Sequence, residues 1–283
     1  MKFFSKFYMF IIFALLYAPI VVVMIFSFNN SGNMASFSGF SLKWYIELFR
    51  DSVALGALKN SLFLAVASSL IATLIGTFAA YGIFKMRNKF LKSAVTSVTN
   101  IPMMNPDIVT GVSMMLLFVA LAGILHLPNT LGVHSMLIAH ITFNLPYIIL
   151  SILPKFKQMD PHLSEAALDL GCTPLSTFFK VELPSVVPGI ISGLMLGFTL
   201  SLDDFVISHF VSSPDFITLP LYVYNQTAHE VKYSMYALCT LIIVVVLGLL
   251  IAVNMMRSSD DNRSKRQTQK SNKYITKKSG GST

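Results

Sequence analysis

Charged residues are scarce in this sequence. Asp, Glu, Lys and Arg make up only 12% of its 283 residues, which leaves too little polar surface for a water-soluble globule of that size. Cysteine is scarcer still: Cys172 falls in a polar loop and Cys239 in an apolar run, a distribution that excludes a disulfide framework. The six histidines include no H-E-x-x-H arrangement, and neither cysteine stands beside one at zinc-ligand spacing, so no metal site is expected. There is no G-x-x-x-x-G-K-[ST] loop and no Gly-Lys pair anywhere, which excludes nucleotide hydrolysis through a phosphate-binding loop on this chain. A G-x-S-x-G nucleophile elbow is missing as well, and no other catalytic signature stands out.

Apolar sequence is what the chain has in abundance. It is 54% hydrophobic, with a mean hydropathy of +0.67. Runs of about 18 apolar residues can cross the roughly 30 Å hydrocarbon layer of a bilayer. Six such runs lie at approximately 7–28, 61–84, 100–125, 131–153, 187–211 and 235–256. The first follows Lys2 and Lys6 but has too long an apolar core, and no convincing small-residue cleavage site, for a signal peptide; it reads as a retained span. The third has the softest boundary, because Pro102 and Pro106 interrupt it and its first part suits an interfacial or cytoplasmic helix.

Orientation follows from Lys and Arg. With the N-terminus inside, only Lys43, Arg50, Lys59 and Lys232 of the 21 cationic residues fall outside, so both termini are expected in the cytoplasm. Residues 1–257 then form one transmembrane domain, and 258–283 a basic tail that reads as disordered near anionic headgroups. That tail accounts for much of the net charge of +8 without invoking nucleic acid.

One segment does not look like membrane sequence. In "EAALDLGCTPLSTFFKVELP", 165–184, preceded by Asp160-Pro161, the Asp-Pro pair suits a capped helix start. Gly171 suits a left-handed helix end, and Thr173-Pro174 repeats the start signal. Two short helices joined by a glycine turn are predicted, the second ending near Leu183-Pro184. Ala166 and Ala167 give the first a small surface patch, and Glu165 and Asp169, four apart, share one face.

The spacing of Glu165-Ala166-Ala167, Gly171 and Val181-Glu182-Leu183-Pro184 resembles the EAA motif of ABC importer permeases, E-A-A-x3-G-x9-I-x-L-P, with Val181 in place of Ile. Further segments, among them "NSLFLAVASSLIATLIGT", "MMNPDIVTGVSMMLLF", "HITFNLPYIIL" and "FTLSLDDFVISHFVSSP", are similar to the permeases of spermidine/putrescine importers, in order and spacing most to the second of the two permeases in such systems. The resemblance implies an all-α membrane protein with six transmembrane helices, cytoplasmic termini and a coupling hairpin, 160–184, between the fourth and fifth. It implies that Glu165, Ala166, Ala167, Gly171, Leu183 and Pro184 belong to the element that docks on an ATPase. It further implies a second permease as heterodimer partner, two ATPase subunits carrying ATP and Mg, a periplasmic polyamine-binding protein, and a bacterial inner-membrane location. No cofactor is expected on this chain. That binding protein would meet the outer loops near 29–60 and 212–234, although Trp44 and Tyr45 equally suit interfacial anchors and Tyr222 and Tyr224 are similarly ambiguous.

Ionisable residues inside spans are costly and mark functional sites. If the fifth run is one continuous helix, Gly189, Gly193, Gly197, Ser201, Asp204, Ser208 and Ser212 fall within about 140° of one another. The glycines suit close helix packing, and Asp204 stands about 25 Å above the inner end. There it can receive a substrate ammonium, with Phe205 adding cation–π attraction, or serve as a structural ion pair or a hydrogen bond to the partner permease. Asp203 lies about 100° away from Asp204. Asp107, after Pro106, is a third candidate, with a simple helix cap as its alternative. Two other readings stay open: a permease for a different small solute, and an ion-driven transporter working alone. The latter predicts internal repeats, and none is evident.

Overall fold

The structure is a computed structural model that describes residues 2–31, 36–126, 131–227, 232–248 and 251. Among the described residues it is helical, the only extended pairings being the isolated bridges Asn29 with Phe40 and Ser213 with Phe216. In chain order the helices are α1 Lys2–Phe26, α2 Lys43–Arg50, α3 Ser52–Lys85, α4 Lys89–Met104, α5 Asp107–Leu125, α6 Val133–Gln158, α7 Pro161–Asp169, α8 Pro174–Thr177, a π-helical turn Phe178–Glu182, α9 Leu183–Asp203, α10 Val206–Val211 and α11 Leu219–Thr227, followed by α12, Ser234–Gly248.

Among the described residues five helices are long and apolar enough to cross a membrane: α1, α3, α5, α6 and the unbroken 30-residue stretch Pro174–Asp203. α12 is apolar but shorter. The rest of the sixth expected run, save Ile251, and the tail 258–283 lie outside the described residues.

The third run is not one helix. α4 starts where the Asn88 side chain accepts from the amides of Phe90 and Leu91 at 3.0 and 3.3 Å. It stops at Asn105, whose backbone is extended at φ −78°, ψ 141°, because the residue before a proline is pushed out of the helical region. The span therefore begins at Asp107 rather than 100. Pro102, by contrast, is carried inside α4.

The fifth run breaks as well, at its other end. α9 stops at Asp203, and Asp204 is extended at φ −64°, ψ 121°. The Asp204 carboxylate accepts from the amides of Ile207 and Ser208 at 3.2 and 2.8 Å, so the side chain competes with the helical ladder and starts α10 instead. The expected stop at Leu183-Pro184 is absent. Pro184 has no amide to give Lys180, and the preceding π turn, in which the Leu183 amide reaches the Phe178 carbonyl, absorbs the mismatch so that α8 runs into α9.

The chain forms two compact units, Asp51–Glu230 on one hand and Met1–Arg50 with Val231–Thr283 on the other. In the first, α3, α6 and α9 pack together, and Ile148 of α6 is the common contact: it faces Gly76 of α3 and Gly193 and Gly197 of α9. Ala72, Ala80, Ile149, Ile152, Phe156, Phe178 and Val186 complete this core. A second core gathers Leu64, Met136, Ala139, Ile207 and Val211. In the other unit the Trp44 indole donates to the Asn29 carbonyl at 2.7 Å and packs on Tyr233 with ring centroids 5.1 Å apart. Tyr45 meets Ser27, oxygen to oxygen, at 2.9 Å. Trp44 is buried within its own unit and is not a free interfacial anchor.

Candidate functional site

Two places in the Asp51–Glu230 unit concentrate polar chemistry. The first is the segment 160–184. The Asp160 carboxylate accepts from the His162 amide at 3.0 Å and Pro161 fills the first turn of α7. At the other end Gly171 takes φ +85°, its amide reaching Leu168 O at 2.9 Å while that of Cys172 reaches Ala167 O at 3.0 Å. This paired closure satisfies the last carbonyls of α7 and needs a residue that tolerates the left-handed region. Thr173 then caps α8 by accepting from the Ser176 amide at 3.3 Å.

The resulting surface is apolar. Leu163, Leu168, Leu170, Leu175 and Phe179 are exposed, an arrangement that suits a protein partner. Glu165 stands exposed beside His162, whose Nδ1 is 3.2 Å away. Of the two alanines, Ala166 is exposed while Ala167 is buried, so only Ala166 offers a small patch. Pro184 is exposed, and Leu183 packs against the first core.

Sequence reasoning passed over Glu182. Its side chain is 1% exposed and Oε1 lies 2.7 Å from Lys85 Nζ at the end of α3, while Ser164 Oγ of α7 donates to the same oxygen at 2.8 Å. The available signal was a carboxylate in the apolar stretch "FFKVELP", which calls for a partner wherever it is buried.

The second place is the break between α9 and α10. His140 of α6 is buried there, with Nδ1 2.7 Å from Ser201 Oγ and Nε2 3.3 Å from Ser208 Oγ. Ser68 of α3 donates to Ser201 Oγ at 2.9 Å. Asp204 Oδ2 is 3.5 Å from His140 Nε2, and its side chain is only 7% exposed. The wheel that joined Asp204, Ser208 and Ser212 to the glycine face assumed a continuous helix and does not hold beyond Asp203. Ser201, Asp204 and Ser208 are nonetheless brought together, by His140. Asp203, at the end of α9, is exposed. Two residues on, Phe205 packs on Tyr224 with centroids 4.6 Å apart and on His209 at 5.4 Å. Asp107, the exposed first residue of α5, lies one turn before Gly111, whose Cβ position is 2.9 Å from the Phe210 ring and 3.5 Å from Val206 O. Thus α5 lies along α10. Asp107 and Asp203 are open acids, whereas Asp204 is committed to backbone amides and to His140.

Residues 72–258 match the family described as the inner membrane component of binding-protein-dependent transport systems. The chain is also 39% identical over 253 residues to the putrescine transport system permease protein PotI of Escherichia coli (strain K12), covering 87% of this chain and 88% of that protein. The chain belongs to this permease family. To the spermidine/putrescine transport system permease protein PotC of the same strain it is 38% identical over 241 residues, 85% of this chain and 89% of that one. In fold it is similar to a chain of a bacterial ABC transporter that imports the acidic polysaccharide alginate, with a TM-score of 0.72 at 17% identity over 90% of this chain and 94% of the other. It is therefore a multi-pass inner-membrane transport subunit with the ABC permease fold, in a family of non-catalytic permeases.

Proposed function

We propose that this permease is one subunit of an ATP-driven importer for polyamines and forms part of the path by which they cross the membrane. The likeness to PotI and PotC over most of the chain supports the cargo class. The observation that carries it is the α9–α10 break, where α9 ends on the exposed acid Asp203 and Phe205, two residues on, packs its ring on Tyr224. Carboxylates with aromatic faces bind ammonium groups strongly once water is excluded. In this reading Asp203 and Asp107 meet the substrate, and Asp204 shapes the break.

The chain has six spans with both termini in the cytoplasm, α12 being the visible part of the sixth. Residues 1–257 form the permease domain, and the basic tail 258–283 lies near anionic lipid. The segment 160–184 is the coupling hairpin: Glu165, Ala166, Gly171 and the leucines around them dock on an ATPase, while Ala167, Leu183 and Pro184 join that surface to α9. A second permease completes the path, two ATPase subunits hold ATP and Mg, and a loaded periplasmic binding protein delivers the polyamine from outside. This chain needs no cofactor of its own.

The test is labelled putrescine and spermidine uptake in cells without other polyamine importers, with the whole complex expressed and either Glu165 or the ATPase disabled in parallel. Uptake that requires both supports the proposal. A complex that assembles but moves neither polyamine overturns the cargo. Uptake that survives loss of the ATPase activity overturns the ATP-driven mechanism.

A further inference from the structure

Glu182 is buried at the root of α9, in the same helical stretch as Phe178, Leu183 and Val186 of the first core. A carboxylate removed from water in this way is destabilising unless it is paired and hydrogen-bonded. Both conditions are met: Tyr81 of α3 is hydrogen-bonded to the carboxylate, and the two strongest partners share one oxygen. Oε1 takes the ammonium of Lys85 at 2.7 Å and the hydroxyl of Ser164 at 2.8 Å, and Lys85 is itself held over the rings of Tyr81 and Phe84, 5.4 and 5.7 Å from their centroids.

The three residues belong to three elements. Ser164 lies on α7, Lys85 ends α3, and Glu182 ends the π turn that opens into α9. α7 has little else to hold it: among its described side chains only Ala167 is buried, and Leu163 and Leu168 are exposed. A displacement of α7 must therefore either stretch the bond from Ser164 to Glu182 or move Glu182, and with it Lys85. The π turn, with its widened hydrogen-bond ring, is the part of the helix suited to such a shift.

We propose that Glu182 is a positioning residue that carries displacement of the α7 hairpin to α3 as well as α9, by holding Ser164 and Lys85 on one oxygen. This rests on the reading of 160–184 as the element that docks on the ATPase.

The experiment uses the complete importer in liposomes, with uptake and ATP hydrolysis measured in the same vesicles. Glu182→Gln keeps the volume and an acceptor for Ser164 but releases Lys85. Ser164→Ala, the milder change, severs only the link to the hairpin. In both, polyamine transported per ATP hydrolysed falls about two- to thirtyfold, the range single residues produce in coupling, while the ATPase subunits still copurify. Exchanging the charges, Lys85→Glu with Glu182→Lys, restores more coupling than either single change leaves. A ratio unchanged in both Glu182→Gln and Ser164→Ala overturns the proposal. So does loss of the ATPase subunits from both purified complexes, because Glu182 and Ser164 then serve assembly rather than coupling. To separate this from failure of the docking reading, Ala166→Cys in a Cys172→Ser background is cross-linked to the ATPase. A cross-link with unchanged coupling sinks only the proposal, whereas full uptake with no cross-link sinks the docking reading and the proposal together.

Discussion

At the scale of single residues the two acids at the α9–α10 break, Asp203 and Asp204, divide their labour, and substitutions separate the parts. Asp204 caps α10 through two backbone amides. Asp204→Ala removes that cap, worth about 1 kcal/mol, and should lower the thermal midpoint of the purified complex; Asp204→Asn retains an acceptor and should assemble normally with reduced uptake. If Asp204→Asn fails to assemble, the carboxylate is structural and its charge has no part in the path. Asp203 is open, so Asp203→Asn should leave the midpoint unchanged and cut uptake at low polyamine concentration roughly tenfold or more, the loss expected for one charged hydrogen bond. Normal uptake in this variant would remove the break from the path.

Asp51 and Tyr222 provide a pH-dependent tie outside the spans. Asp51 Oδ1 caps α3 through the amides of Val53 and Ala54 at 3.0 and 3.1 Å, and Oδ2 accepts from the Tyr222 hydroxyl at 3.0 Å. Burial, and after it the hydrogen bond to Asp51, pushes the phenol up from 10.0 to about 12. The folded state thus favours the neutral phenol. Its contribution is fully present below pH 10 and is lost as pH rises through about 12. Tyr222→Phe should cost about 1 kcal/mol near neutrality and flatten the fall in stability across that alkaline window. A parent and variant that lose stability in parallel there would show that Tyr222 is not the group responsible.

At the scale of elements, packing turns on where a glycine meets a side chain. A Cβ on Gly76 would stand 2.8 Å from Ile148 Cγ2, whereas one on Gly82, in the same helix, meets no described atom within 4 Å. Ala is favoured over Gly in a helix by about 1 kcal/mol, and overpacking costs about 1–3 kcal/mol. Gly82→Ala should therefore raise the thermal midpoint and Gly76→Ala lower it; equal shifts would mean that α3 and α6 are not in van der Waals contact at this level. The glycine spacing of α9 was legible in sequence because helical periodicity alone puts Gly189, Gly193 and Gly197 on one face. The caps around α7 and α8 were legible for a similar reason: Asp160, Gly171 and Thr173 act on backbone within a few residues of themselves. The breaks were harder. Pro102 and Pro106 offer the same letter, but only the second interrupts the helix, and the continuity of α8 into α9 depends on a π turn that no residue pattern announces. Asp204 leaves α9 to cap α10 and face His140 of a different helix, and Glu182 is explained by Ser164, Lys85 and Tyr81. These arrangements depend on partners distant in sequence.

At the scale of the whole molecule the proposed orientation rests on the distribution of Lys and Arg, which with a cytoplasmic N-terminus leaves only Lys43, Arg50, Lys59 and Lys232 outside. Cys172 is a native reporter of that arrangement: it lies directly after Gly171, in the turn between α7 and α8, and is partly accessible. With Cys239→Ser as background, a membrane-impermeant maleimide added to intact spheroplasts should leave Cys172 unlabelled. The same reagent should label it in inverted vesicles stripped of the ATPase. Rebinding the ATPase should slow that labelling, because the leucines flanking the turn would then be covered along with it. Labelling from the outside would reverse the topology, placing the hairpin beyond reach of any ATPase, and the coupling role of 160–184 would fall with it. Labelling from the inside that is indifferent to the ATPase would keep the topology and move the docking surface elsewhere. Because the charge pattern sets the first result and the apolar face of α7 and α8 sets the second, the pair of measurements tests the two arguments separately.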